Sequence, residues 1–382
     1  DTRLLFQSMS RQPSLKEYGC DCSGEYPITD ALTESGLYLP SASNLNKEDI
    51  KYVYTADAET DNEDIVLKRC RNNKNISPAE PHSYTPPERG SEWMDKRPCV
   101  IGAGPCGLFC AYLLARYGYK PILIEQGEDA ESRLNSVIAF WEGRAPLDPY
   151  SNIQFGEGGA GTFSDGKLTT GVKDTDGRKT LVLEILSRHG APEEIMYTAK
   201  PHIGTDVLIK VVKSMREDII ANGGSVWFNT RFLDYNTKDG RIDSILISRK
   251  GNLMNLTCSD LVLAIGHSSR DTFKMLFEKG LEMQPKPFAV GIRAEHLQSD
   301  INLAQYGHRY KELYGDLPPA DYKLTAHTKD GHSVYSFCMC PGGFVVNSSS
   351  EEGHLCVNGM SYSDRGGINA NSAIVVNVSP ED

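Results

Sequence analysis

The strongest hydrophobic pattern in the chain lies in "PCVIGAGPCGLFCAYLLARYGYKPILIEQ", residues 98–126. The runs "CVI" and "ILI" are continuously apolar, as strands buried on both faces are. Between them "PCGLFCAYLLARYG" is apolar nearly all round, as a helix covered on several sides is, and Gly118 predicts its stop. Strand, glycine turn, helix and strand within about 30 residues predict a βαβ unit with parallel strands.

Further along, "TDVLIKVVKSMREDIIANGG" (205–224) repeats apolar residues at helical spacing, with Leu208, Val212, Met215 and Ile219 as the core face and Thr205 as the N-cap. "SVWFNTRF", "RIDSILIS" and "NLMNLTC" read as strands joined by the turns "KDGR" and "KGN". "DLVLAIG" (260–266) reads as another short buried strand, and "SRDTFKMLFEKG" as a helix. From 321 the pattern turns antiparallel, through "YKLTAHT", "SVYSFCM", "FVVNSS" and "LCVNGM", with turns at "KDGH", "PGG" and "EEGH". Upstream, "IKYVYTADAE" (50–59) alternates like a strand, and "EDIVLKRC" completes a small α+β module over 1–70, in which 1–45 carry no assignable pattern. Residues 71–95, rich in Pro, Asn, Glu and Ser, read as a linker.

Composition narrows the class. A chain of 382 residues accommodates two or three domains. A net charge of −11 argues against a broad affinity for nucleic acid or anionic membrane. No apolar run is long enough for a membrane span, and "DTRLLFQSMS" has no signal-peptide pattern. The ten cysteines are scattered, as reduced thiols of a cytoplasmic protein are.

Two stretches spell GxGxxG. In the first, Gly102 permits the tight turn out of the strand, Gly104 admits a pyrophosphate to the backbone, and Gly107 lets helix and strand pack closely. Glu125 ends the second strand about 20 residues on, where a carboxylate binds ribose hydroxyls and disfavours a 2′-phosphate. The second, "FGEGGAG" (155–161), has no buried strand before it and no apolar helix after it. It reads as a glycine-dense loop packed against the same dinucleotide, nearer its reactive end.

With "FWEGR", "SNIQFGEGGAGTFSDGKL", "KPHIGTD", "LVLAIGHSSRDTF", "KPFAVGIRAEH", "FCMCPGG" and "VNGMSYSDR", the chain from about residue 46 onward resembles the FAD-dependent dehydrogenase (NAD(P)/FAD-dependent oxidoreductase) family, in the flavoprotein branch of p-hydroxybenzoate hydroxylase and D-amino-acid oxidase. The resemblance implies an α/β fold: a Rossmann-type FAD-binding domain (96–290) interleaved with an antiparallel β-rich substrate domain (291–382), after the small α+β module. It implies that Gly102, Gly104, Pro105 and Gly107 hold the pyrophosphate, and that Glu125 and Gln126 lie at the adenosine ribose. It implies that Arg133 contacts FAD phosphate or ribose, that Gly158, Gly159, Gly161 and Thr162 lie along the cofactor, and that "VWFNTRF" frames the adenine. Ala264 and Gly266 would stand beside the cofactor in a second short motif, with His267 next to them. The family's late strand ending in Gly-Asp has no counterpart here, since Gly315-Asp316 lacks a preceding strand; a continuation beyond Asp382 is implied.

Four residues are candidates for chemistry. Cys338 and Cys340, at i and i+2 of a strand, would share a face and could meet one ligand as a redox or substrate-contact pair, or be two small core residues. Lys167 could stabilise negative charge on a reduced flavin. His202 sits at a loop–helix junction. The reading is an FAD-dependent oxidoreductase passing a hydride to or from a small-molecule substrate, with NAD(P)H as a candidate transient reductant. The alternatives are a flavin-binding scaffold or nucleic-acid-modifying flavoprotein, and an NAD-binding dehydrogenase.

Overall fold

The structure is a computed structural model that describes residues 53, 55–79, 83–92, 94–171, 173–308, 310–314, 317–327 and 333–380. It is a mixed α/β architecture with one parallel sheet and separate antiparallel sheets. The strands in chain order are β1 (Cys99–Ile101), β2 (Ile122–Ile124), β3 (Ser225–Trp227), β4 (Thr230–Lys238), β5 (Arg241–Arg249), β6 (Asn252–Thr257), β7 (Leu261–Leu263), β8 (Phe288–Leu297), β9 (Thr325–His327), β10 (Ser333–Cys340), β11 (Phe344–Asn347), β12 (Val357–Met360) and β13 (Asn369–Val378).

The parallel sheet has the order β3-β2-β1-β7, with Val100 opposite Leu123 and Val262. Alternation along its strands explains the continuous apolar runs. Val100 and Leu123 point to a core shared with the helices Pro105–Arg116 and Thr205–Ala221, where Leu108, Ala111, Val212, Met215 and Ile219 are buried. Cys99, Ile101, Ile122 and Ile124 point the other way, onto Phe232, Ile245 and Ile247 of the antiparallel sheet β4-β5-β6. Both faces are therefore covered, and each fully buried aliphatic side chain contributes about 1.5–3 kcal/mol.

The C-terminal part builds a second sheet, β8-β13-β10-β9, and the hairpin β11-β12. One face of β8 in the larger sheet leaves Phe288, Val290 and Ile292 exposed. The hairpin is tied to the first half by a small core of Val137, Ile153, Phe163, Val346 and Met360. Among the described residues, no helix is long and apolar enough to cross a membrane.

Several local expectations need correction. Residues 53 and 55–59 of the expected strand 50–59 carry no strand; the rest of it lies outside the described residues, as do "KDGH" and Gly315-Asp316. "EDIVLKR" is a helix, Glu63–Arg69. "VWFNTRF" is not one strand: Asn229, at φ 51°, separates β3 from β4. Gly204 (φ 83°), not Thr205, caps its helix; Thr205 is the first helical residue and its hydroxyl donates to Ser164 O at 2.8 Å. The helices Ala130–Trp141 and Arg178–Arg188 carry no expectation from periodicity.

Candidate functional site: two glycine turns and a charged cluster

The first glycine turn is governed by contact distances. Gly102 takes φ 98°, and a Cβ there would lie 2.4 Å from the Ala264 carbonyl oxygen. A Cβ on Gly107 would lie 1.8 Å from the Gly102 carbonyl oxygen. Gly104 differs: it is the N-cap of helix Pro105–Arg116, at φ −69°, and a Cβ there would meet nothing within 4 Å. Pro105 occupies N1, where no N–H is needed. The helix start thus faces open space with its N–H groups and positive dipole end, a cradle that fits a pyrophosphate. Glu125 is 5% exposed; its carboxylate accepts from Ala103 N at 2.7 Å and Gly127 N at 2.9 Å, so it already ties the turn to the end of β2. Gln126 is half-buried beside it. Ala264 N donates to Ile101 O at 2.8 Å, which sets the 264–266 turn next to Gly102. Gly266 (φ 71°) also has open space at its Cβ position, and His267 is exposed.

The second stretch packs directly on the first. Gly158 N donates to Ala103 O at 2.8 Å, and a Cβ on Gly159 would lie 3.3 Å from Gly104 Cα. Gly156, Gly158 and Gly159 take positive φ values of 122°, 82° and 59°. The loop expectation needs one refinement, because Gly159–Phe163 forms a short 3-10 helix. Thr162 is fully buried and its hydroxyl donates to Gly159 O at 2.9 Å, while Gly161 is free of close contacts.

Arg133 is the brace of this turn. Its guanidinium is fully buried and donates to the carbonyls of Asn152 (2.8 Å), Ile153 (2.8 Å), Glu157 (2.6 Å) and Gly159 (2.7 Å). It also stacks on Phe163 at 4.6 Å. Burial pulls it down to about 10, against Glu125, Glu157 and Glu128, so it stays charged at neutral pH. The guanidinium is turned into the loop and committed to four carbonyls, where the resemblance implied a phosphate or ribose contact. Glu157, also fully buried, accepts from Ala130 N at 2.8 Å and pairs with Arg216 at 3.3 Å; its other oxygen has no partner, and burial pushes it up to about 7. Glu157 and Arg216 carried no sequence expectation. The only signal for them was their place inside and opposite the glycine stretch.

Two and four residues past Phe163 stand Asp165 and Lys167, which open a charged cluster. Asp165 is 1% exposed. It pairs with Lys167 Nζ (3.1 Å) and Arg365 Nη2 (2.9 Å) and accepts from the Ser361 hydroxyl. Burial alone would raise it, but Arg365, Lys167 and Ser361 hold it below the usual carboxylate value. Lys167 also donates to the Met339 carbonyl, and an isolated bridge pairs Lys167 with His202. His202 Nε2 lies 3.8 Å from Asp165, buried and without a hydrogen-bond partner. Desolvation first, then Arg365 and Lys167, drive its pKa down to about 4, so the imidazole is neutral. It borders a cleft of about 280 Å³ with Lys200, Ser363 and Arg365.

Cys338 and Cys340 end β10 in this same cluster. The register of β10 against β13 shifts between Phe337 and Cys340, and Cys338 takes φ 48°. The bulge breaks the strict alternation expected of i and i+2, and the Cys340 thiol donates to the Cys338 carbonyl at 3.4 Å. Arg293 of β8 donates to the Cys338 carbonyl at 3.3 Å and to Asn371 Oδ1 at 2.6 Å. Lys167, His202, Cys338 and Cys340 thus converge, joined by Asp165, Arg293, Ser361 and Arg365. The latter four stand in "SDGK", "GIRAEH" and "MSYSDR", and none of the four carried an assigned role. Among the described residues, no group of three or more His, Cys, Asp or Glu side chains could hold a metal ion.

Comparisons with known proteins add the lineage. Residues 287–382 match the family "FAD-dependent protein, C-terminal domain-like" and residues 100–136 the "NAD(P)-binding Rossmann-like domain". An uncharacterised protein of Clostridium beijerinckii is 50% identical over 338 residues, 88% of this chain. The chain spans 61% of the length of that relative. A geranylgeranyl bacteriochlorophyll reductase-like protein of Thermoplasma acidophilum superposes with a TM-score of 0.37 at 13% identity, over 73% of this chain and 56% of that one. The chain thus carries a match to a Rossmann-like model over residues 100–136 and one to the C-terminal domain-like model of FAD-dependent proteins over residues 287–382.

Proposed function

We propose that the chain binds FAD and works as an FAD-dependent oxidoreductase on a small-molecule substrate. The observation that carries this reading is the open cradle at Gly104, at the start of a helix, with Gly159 of the second glycine turn pressed against it. The FAD-dependent character of the C-terminal domain family supports it.

In this reading Gly102, Gly104, Pro105 and Gly107 receive the pyrophosphate. Glu125 and Gln126 serve the adenosine ribose: two backbone N–H groups fix the Glu125 carboxylate, and its remaining lone pairs accept from ribose hydroxyls. Gly158, Gly159, Gly161 and Thr162 line one side of the cofactor, and Ala264 and Gly266 the other. Arg133 positions the second turn from behind. FAD supplies the hydride chemistry when bound. Lys167 and Arg293, with Asp165 the one carboxylate among them, give the cluster the positive charge that favours an electron-rich reduced ring. Neutral His202 is available as a hydrogen-bond partner for substrate in the adjoining cleft. Residues 96–290 form the cofactor unit and 291–382 the substrate unit, with NAD(P)H as the transient reductant.

The Rossmann-like match to an NAD(P)-binding model keeps an NAD-binding dehydrogenase as the second reading. The test is the visible absorption spectrum of the purified chain, supplemented with FAD, followed by denaturation and mass identification of the released nucleotide. A flavin spectrum with FAD released, bleached by NADH or NADPH, is the expected result. A protein that takes up no FAD but binds NADH overturns the flavin reading in favour of the second.

A further inference from the structure

We propose that Cys338 and Cys340 form a redox-active dithiol, in which Cys338 attacks and Cys340 resolves. Three features of the β10 bulge carry this. The extra residue in β10 breaks the regular ladder at the pair, and the Cys340 thiol turns back to donate to the Cys338 carbonyl at 3.4 Å. Cys338 is a non-glycine residue held at φ 48°, a conformation that persists only where its surroundings impose it. Here they do: Lys167 grips the Met339 carbonyl and Arg293 the Cys338 carbonyl, so two cations are anchored to the backbone of the pair itself.

The charge balance points the same way. Lys167, Arg293 and Arg365 are three cations in the cluster, against Asp165 as its one carboxylate, while His202 is neutral. Asn371 and Ser361 add polarity without charge. A thiolate at Cys338 offsets part of the surplus. The neighbouring Cys340 thiol first, then Lys167 and Arg293, pull Cys338 down to about 6 against burial and Asp165, and the same proximity pushes Cys340 up. Access distinguishes the roles, because Cys338 is half-buried and Cys340 fully buried. Cys99 and Cys258, in one core cluster, are the internal contrast: both thiols are fully buried and out of reach.

The oxidant is a small hydroperoxide. The Cys338 thiolate sulfur attacks its terminal oxygen, forming an S–O bond and breaking the O–O bond, and the alkoxide or hydroxide released takes up a proton. The Cys340 sulfur then displaces the hydroxyl from the sulfenic acid: an S–S bond forms, the S–O bond breaks, and water leaves with the Cys340 proton. Two electrons pass from the two sulfurs to the peroxide. A disulfide closed across a single residue is strained, hence readily reduced, which suits a reversible switch rather than a structural staple.

The test needs no cofactor, so it can fail while the flavin reading stands, and the reverse. Alkylation of the full chain with iodoacetamide across pH, mapped by peptide mass, is expected to reach half its rate at Cys338 near pH 6. Hydrogen peroxide is expected to remove two hydrogen masses from the peptide holding both residues, and dithiothreitol to restore them. The mapping separates this peptide from Cys20 and Cys22, which lie outside the described residues. In Cys340→Ser, oxidation stops at a dimedone-reactive sulfenic acid on Cys338. The idea fails if Cys338 alkylates only above about pH 8, as an ordinary thiol does. It also fails if peroxide consumes the exposed Cys106 and Cys356 while Cys338 and Cys340 remain two free thiols. The wild-type masses decide the question even if the variant does not fold.

Discussion

The two glycine stretches share a spelling and differ in what enforces it. At Gly102 and Gly107 the glycines are required by neighbouring backbone, 2.4 Å and 1.8 Å from where a Cβ would stand. The helix and strands that create those contacts are contiguous in sequence, so the turn is specified locally. In the second stretch the first two glycines are needed for positive φ, while Gly161 has neither positive φ nor a contact closer than 3.8 Å. What holds that turn is Arg133 from another element, with Glu157 and Arg216 behind it. The same letters thus describe a steric turn in one place and an electrostatically braced turn in the other. A pattern of glycines identifies neither until the atoms around each one are counted.

Removing the brace should have the largest effect. Arg133→Met keeps much of the volume but leaves four loop carbonyls without their donor and takes a positive charge away from the buried Glu157. Breaking a buried charged network of this kind costs about 3–5 kcal/mol. Chemical denaturation should show that loss, and flavin uptake should fall with it because Gly159 would no longer be held against Gly104. Unchanged stability would mean that the turn holds itself.

Gly107→Ala attacks the other turn. Its Cβ would overlap the Gly102 carbonyl, and backbone on both sides must move. Overpacking costs about 1–3 kcal/mol, and backbone overlap puts this substitution at the upper end. The measurement is the shift in thermal unfolding. A shift within error would show that the helix can slide away from β1 freely.

Two buried titratable groups, Glu157 behind the second turn and His202 in the cluster beyond it, make stability respond to pH. Glu157 is raised from its ordinary 4.5 to about 7, so its contribution is fully present below 4.5 and lost as pH rises towards 7. His202 is lowered from 6.5 to about 4, so its contribution is present above 6.5 and lost as pH falls towards 4. The two oppose each other between 4.5 and 6.5. Glu157→Gln keeps the bond to Ala130 N and removes the first contribution. On acidification from 7 to 4.5 it should therefore lose stability relative to the wild type, by on the order of 2 kcal/mol. His202→Asn should move the opposite way. Parallel pH profiles for wild type and Glu157→Gln would show that Glu157 titrates normally.

The legibility of the molecule follows the same division. The βαβ unit was readable because each strand alternates between two apolar layers, so continuous hydrophobicity maps directly onto β1 and β2. The core face of helix Thr205–Ala221 was readable from its spacing. Helix Ala130–Trp141 was not, although Asp129 caps it by accepting from Glu131 N and Ser132 N, because its buried face includes a charged residue, Arg133. The cluster around Asp165 was only half legible. Lys167, His202, Cys338 and Cys340 stood out as reactive types. Asp165, Arg293 and Arg365 did not, since their pairing spans up to 200 residues of chain. Their signal is the burial of charge, which a linear pattern does not display. The bulge at Cys338 was equally hidden, because the sequence alone suggests regular alternation.

The finest test separates glycines that serve the fold from one that serves a ligand. Gly161→Ala should change stability by less than about 0.5 kcal/mol, since its Cβ enters ordinary contact range. Gly104→Val should be nearly as mild for the free chain, because φ −69° suits any residue and the space is open. Its side chain, however, would fill the cradle where the pyrophosphate is to sit, so FAD uptake measured by absorbance titration should weaken at least tenfold, about 1.4 kcal/mol or more. A Gly104→Val chain that unfolds would place this glycine with Gly107 as a packing requirement. One that folds and binds FAD normally would move the cofactor away from this helix start, and with it the physical distinction between the two turns.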